Sequence, residues 1–139
     1  MLRTLTTRRA GFSLVELTIV VVILGVLATF AVPRFMRSVE RSKAAEIFNY
    51  LQNVHIAQVS YNSRSGTYSN TLPKLDVAQK APKYFTVGAI VSSNFQTSWR
   101  ITSRRRVRSS GFGRYTVVFD QSGFNQTRST IPAVLIPSN

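Results

Sequence analysis

The sequence predicts an α+β protein: a long amino-terminal helix, membrane-spanning in its first half and amphipathic in its second, packed on a small antiparallel β-sheet. Three observations predict it. Residues 12–32 form an almost unbroken apolar run. Residues 44–61 place apolar side chains at spacings of three and four. From residue 84 onward, short β-branched and aromatic stretches alternate with turns rich in Gly and Ser. The chain thus divides into a basic leader (1–11), a membrane helix (12–33), an amphipathic helix (34–62) and a globular β-sheet head (63–139).

As a helix, residues 12–32 span roughly 32 Å at ~1.5 Å per residue, which matches a hydrocarbon core of ~30 Å. The run carries one charge, Glu16. A carboxylate in that setting costs about 2.5–3.5 kcal/mol on insertion scales and reads as functional. It must either take up a proton or find a cation. Pro33 closes the run; it lacks an N–H and is expected to kink or loosen the helix, interrupting it there.

The basic leader ending in Gly11, then Phe12, Glu16, the apolar stretch and Pro33, resembles the signature of type IV prepilins and type II secretion pseudopilins. The resemblance covers about the first quarter of the chain. It implies cleavage by a prepilin peptidase between Gly11 and Phe12 and N-methylation of Phe12. It implies that Glu16 neutralises the terminal amine of a neighbouring subunit and sets register, and that Pro33 is the helix-breaking proline of the assembly helix. Residues 12–33 would then also form the filament core. The implied life history is a single-pass protein of the bacterial inner membrane with its head in the periplasm. From there it is extracted by an assembly platform into a pilus or periplasmic pseudopilus of like subunits.

Two other readings address the same segment. A secretory signal peptide would use Val26-Leu27-Ala28 as its cleavage site, but the apolar run continues past that point and holds Glu16. A plain single-span anchor explains the length and leaves Glu16 beside Gly11-Phe12 unexplained. Charge does not orient the span. Arg3, Arg8 and Arg9 precede it, while Arg34, Arg37, Arg41 and Lys43 follow; the resemblance is what places the leader in the cytoplasm.

The formal net charge is +13, from 18 Lys and Arg against five Asp and Glu. Loss of the leader removes three arginines and leaves +10. Such a field favours nucleic acid, anionic lipid, anionic polysaccharide or an acidic partner. There is no cysteine, which excludes disulfides, Cys-based zinc sites and Cys redox motifs. Many pilins carry a carboxy-terminal disulfide loop, so its absence is a departure from that family pattern.

Within the amphipathic helix, Ala44, Ile47, Leu51, Val54, Gln58 and Tyr61 form the core stripe, flanked by Phe48 and His55. Glu40 and Glu46 are each within reach of Lys43. Gly66 terminates the helix. Tyr68, Leu72 and Leu75 read as core anchors of the following loop. Strands are expected at Tyr84–Val91, Thr97–Ser103, Arg114–Phe119 and Thr130–Ile136, the last an edge or bulged strand because of Pro132. In the second, Trp99 and Ile101 share one face and Arg100 and Thr102 the other. Ser109–Gly113 and Asp120–Gly123 read as turns.

Catalytic chemistry is sparse. His55 is the only histidine, on a helix, and the five carboxylates are scattered. No metal cluster and no cofactor is expected. Major pseudopilins often bind calcium near the carboxy terminus, but Asp120 with Asn125 makes a poor calcium site. The remaining feature is the run Arg104-Arg105-Arg106-Val107-Arg108, which with Arg100 and Arg114 would gather six arginines around one hairpin. That hairpin is either a solvated face or a patch for DNA or another polyanion, with Trp99, Phe112 or Tyr115 for stacking. The expected function is a structural, non-enzymatic subunit of a type IV pilus-like filament. Its alternatives are a type II secretion pseudopilin and a minor pilin that binds DNA through the arginine hairpin.

Overall fold

The computed structural model describes residues 11–106 and 111–137. One helix, α1, runs Leu14–Ser65. Four strands follow: β1 (Phe85–Val91), β2 (Arg100–Arg105), β3 (Thr116–Asp120) and β4 (Gly123–Phe124). Short 3₁₀ turns occupy Leu72–Lys74 and Ala133–Leu135. The described chain divides into two compact units between Phe35 and Met36.

In the first unit, every side chain from Phe12 to Phe35 is exposed. No residue of the most apolar 18-residue window is buried. A core helix of a water-soluble domain would bury a stripe of such residues; this one presents apolar surface all round. Its hydroxyls are turned onto its own backbone. Thr18 Oγ1 donates to the Val15 carbonyl at 2.8 Å, and Thr29 Oγ1 to the Gly25 carbonyl at 3.0 Å. Pro33 lies inside α1 and does not interrupt it, contrary to the break expected from its missing N–H. One absent donor removes a single ladder bond, to the Thr29 carbonyl, and the helical path continues on either side.

The second unit is built where the amphipathic part of α1 meets the sheet. Ala44, Ile47, Leu51, Val54 and Gln58 are buried, as the three-and-four spacing requires, and Tyr61 is half-buried. The stripe also includes Tyr50 and reaches one turn further back, to Glu40. Gln58 is held by a two-way amide clamp: its Nε2 donates to the Ser69 carbonyl at 2.9 Å, and its Oε1 accepts from the Ser69 N–H at 2.8 Å. The helix ends at Ser65, and Gly66 takes φ 71° while its N–H closes on the Asn62 carbonyl. Leu75 is buried, with Tyr68 and Leu72 packed against the same core.

The sheet has the order β1-β2-β3-β4, each neighbour antiparallel. The expected alternation holds: Trp99 and Ile101 face the core, Arg100 and Thr102 do not. It continues along β2 to Ser103 and Arg105, which are also buried. In β3, Val117 stands opposite Ser103 and Phe119 opposite Ile101. β1 carries an irregularity between Val87 and Ile90. The extra residue shifts the side-chain parity, so Phe85 and Ile90 both face inward although five positions separate them. Gly88 sits at this point, where an added Cβ would fall 2.8 Å from the Thr102 carbonyl oxygen.

The strand expected over Thr130–Ile136 does not form. β4 pairs with β3 instead, Phe119 opposite Phe124 and Asp120 opposite Gly123, across the turn expected at Asp120–Gly123. Residues 125–130 then finish the β3 edge with side chains. Ser129 Oγ accepts from the Val118 N–H at 2.9 Å, and Thr130 Oγ1 from the Thr116 N–H at 2.8 Å. Pro132 brings no N–H to extend that edge, and the chain turns into the 3₁₀ segment that buries Leu135. The other turn read from the sequence, Ser109–Gly113, lies partly outside the described residues.

Candidate functional site

The amino-terminal motif is presented openly. Gly11, Phe12 and Ser13 precede the first helical residue, Leu14, and are exposed. A protease needs extended, accessible backbone, and a helix would withhold it. Glu16 lies in the first turn of α1, where the unsatisfied N–H groups and the helix dipole favour a negative charge. Its own side chain is exposed among apolar neighbours.

The six arginines of the expected patch do not gather at one hairpin. Arg105 is in the core, 1% exposed. Its Nε donates to Glu40 Oε1 at 2.6 Å and its Nη2 to Glu40 Oε2 at 3.1 Å; its Nη1 donates to the Tyr84 carbonyl at 3.0 Å. Tyr115 adds its hydroxyl to Glu40 Oε1 at 3.1 Å, and Lys43 Nζ stands 3.5 Å from Glu40 Oε2. Arg105 therefore leaves the anion-binding set, because its charge is already matched. The hydrogen bond to Glu40 is the first cause holding the Arg105 guanidinium above its ordinary pKa. Burial raises the Tyr115 phenol, and the Glu40 charge raises it further.

Arg100 also leaves the cluster, lying at the opposite end of β2, paired in register with Asp120. β2 runs against the direction of α1, so Trp99 packs 6.0 Å from His55 while Arg105 reaches Glu40. Arg104, Arg106 and Arg114 are exposed. Arg106 Nε donates to Thr86 Oγ1 at 3.2 Å. Arg108 lies outside the described residues. What remains is a basic surface at the Glu40 end of the second unit. Lys43, Lys83 and Arg105 surround the Tyr84 ring there at 5.2, 5.8 and 5.4 Å.

Neither of the other candidate chemistries assembles. His55 Nε2 sits 3.3 Å from the Gln121 carbonyl oxygen, and among the described residues no carboxylate hydrogen-bonds to it. Asp120 uses both oxygens locally, accepting from the Ser122 N–H at 2.9 Å and from Asn125 Nδ2 at 2.6 Å, the arrangement of an Asx turn. Among the described residues no three His, Cys, Asp or Glu side chains come together to hold a metal. The residue whose buried pairing the sequence reading missed is Glu40. Its signal was its position four residues before Ala44, on the core stripe.

Residues 6–32 match the family model of the prokaryotic N-terminal methylation motif. The chain is similar to the type IV major pilin protein PilA of Myxococcus xanthus, 43% identical over 63 residues, which is 45% of this chain and 29% of that protein. It is similar to the fimbrial protein EcpC of Eikenella corrodens, 40% identical over 58 residues, covering 42% of this chain and 38% of that protein. It is also similar to the type II secretion system core protein G of Klebsiella pneumoniae, 33% identical over 75 residues, 54% of each chain. The matched stretches thus span 29–54% of these relatives' lengths. The chain thus carries the prepilin methylation motif on an exposed apolar helix, with an antiparallel sheet laid on the helix's second half, and over these stretches it is similar to type IV pilins and to a type II secretion core protein.

Proposed function

We propose that this chain is a structural subunit of a type IV pilus-like filament, cut between Gly11 and Phe12 and assembled through α1. The observation that carries the reading is the pairing of Glu16 with an otherwise uninterrupted, wholly exposed apolar helix inside the matched motif. Cleavage turns Phe12 into a terminal amine. In a bundle of identical helices that amine is a cation for a neighbour's Glu16, which removes the cost of a lone carboxylate in an apolar setting. The head presents its sheet outward and does no chemistry. Its partners are the prepilin peptidase, like subunits, the inner membrane and the assembly platform.

The similarity to a type II secretion core protein, covering more of the chain than the other two matches given above, supports a second reading as a pseudopilin. DNA capture at an arginine hairpin is not carried forward, since Arg105 is sequestered and Arg100 is remote. Mass spectrometry of sheared cells separates the first two readings. A mature chain beginning at N-methylated Phe12 and abundant in the sheared filaments is expected. The same chain confined to the envelope identifies the pseudopilin, and a chain beginning after Ala28 overturns both.

A further inference from the structure

We propose that the Glu40 end of the head is a docking surface for anionic phospholipid headgroups. It would hold the head down on the bilayer that residues 12–33 span; the inference rests on that membrane reading. The second unit starts at Met36, so its Glu40 end is where the chain arrives from the apolar segment. Arg37 follows Val32 by only five positions in the chain. The same end carries the exposed Arg37, Arg41, Lys83, Arg104, Arg106 and Arg114.

Its two carboxylates are turned into the protein, Glu46 with its Oε2 buried and without a hydrogen bond. Glu40 is clamped by Arg105 and Tyr115, and Glu46 Oε1 accepts from the Lys83 backbone N–H at 3.0 Å. The other two acids of the head lie toward the opposite end. Asp120 faces Arg100 across the sheet, and Asp76 lies with Asn53 and Ser60 on the far part of α1. The Glu40–Arg105 pair thus has a consequence for the surface. It cancels one buried charge of each sign and leaves the cations around it facing anions outside the protein. Tyr84, ringed by Lys43 and Lys83, gives that surface an aromatic centre of the kind that sits at a headgroup layer. Chain continuity with the span is what favours lipid over nucleic acid.

The test uses the full chain reconstituted in vesicles of neutral phosphatidylcholine with or without phosphatidylglycerol. The chain has no cysteine, so a single fluorophore can be placed at exposed Thr86, opposite Arg104, or at Ser122 on the distal turn. Headgroup-attached quenchers report proximity. Quenching at Thr86 and not at Ser122, present only with phosphatidylglycerol and lost in 1 M salt, is expected. Each of Arg104→Gln, Arg106→Gln and Arg114→Gln should lower the docked-to-undocked ratio about fivefold.

If the chain floats with vesicles of both compositions but quenching at Thr86 ignores lipid charge, docking is wrong and the membrane span stands. A chain that floats with neither sinks the span and the docking together. Salt-sensitive DNA binding that needs these arginines, without any effect of phosphatidylglycerol, overturns the proposal in favour of nucleic acid.

Discussion

Arg105 and Glu40, 65 positions apart in the chain, meet through two parallel hydrogen bonds of 2.6 and 3.1 Å in a site that leaves each about 1% exposed. The pair ties the first turns of the amphipathic helix to the end of β2. Guanidinium and carboxylate match as two forks, and Tyr115 and the Tyr84 carbonyl engage what remains. Removing one partner leaves a charge buried without its counter-ion. Arg105→Ala or Glu40→Ala should each cost about 3–5 kcal/mol. Glu40→Leu combined with Arg105→Met should cost much less than the sum of the two truncations. The only tryptophan, Trp99, is buried in the same core, so its fluorescence during urea unfolding reads the loss. A pair of single truncations that unfold like the wild type would remove the claim.

Alkaline pH should weaken the head through Tyr115. Burial and Glu40 raise its pKa above the ordinary 10.0, so the folded head keeps a proton that the unfolded chain releases. That contribution is intact below about pH 10 and is lost as pH rises through the raised value. Tyr50, raised by burial, acts in the same direction. Thermal midpoints should fall between pH 9.5 and 11.5. In Tyr115→Phe the fall, relative to its own midpoint at pH 8, should be shallower, with Tyr50 supplying what is left.

Gly88 is required for space and not for an unusual φ. A methyl there would sit 2.8 Å from a backbone oxygen of the neighbouring strand, which cannot move without opening the β1–β2 ladder. Gly88→Ala should destabilise by about 1–3 kcal/mol, measured as a shift in urea midpoint. An unchanged midpoint would mean that the irregularity in β1 has slack.

Glu16→Leu should separate insertion from assembly. The substitution removes a carboxylate worth about 2.5–3.5 kcal/mol against insertion, so the chain should accumulate in the membrane at least as well as the wild type. Processing and fractionation should show it absent from filaments. Normal incorporation of the variant would end the register role of Glu16.

The helix and the inward faces of the sheet were legible because their periodicities are local. Stripe positions from Ala44 to Gln58 and the alternation at Trp99 and Ile101 follow directly from spacing. The same alternation, carried two steps further, points Arg105 inward; its arginine neighbours suggested a solvated run and hid that parity. Glu40 was read as a partner for Lys43, which it is at 3.5 Å, and that pairing drew attention from its place one turn before Ala44. Neither residue explains its burial alone. Each is tolerable in the core only because the other is there, a relation across 65 positions that no local pattern encodes. The last strand was overread because Thr130–Ile136 is apolar enough for one. The hydroxyls of Ser129 and Thr130 complete the β3 edge first, and Pro132 then leaves nothing to donate.

The threonine hydroxyls of the apolar helix bear on how a subunit could leave one environment for another. Thr18 and Thr29 carry their acceptors with them, on their own helix, and need nothing from whatever surrounds them. Passage from lipid into a packed array of helices is then an exchange of one greasy neighbour for another, nearly neutral in polar terms. Glu16 is the exception along that surface, the one ionisable side chain between Phe12 and Val32. A helix so made has no preference that must be overcome residue by residue. In the filament proposed above, its direction of travel would rest on a single carboxylate at one end.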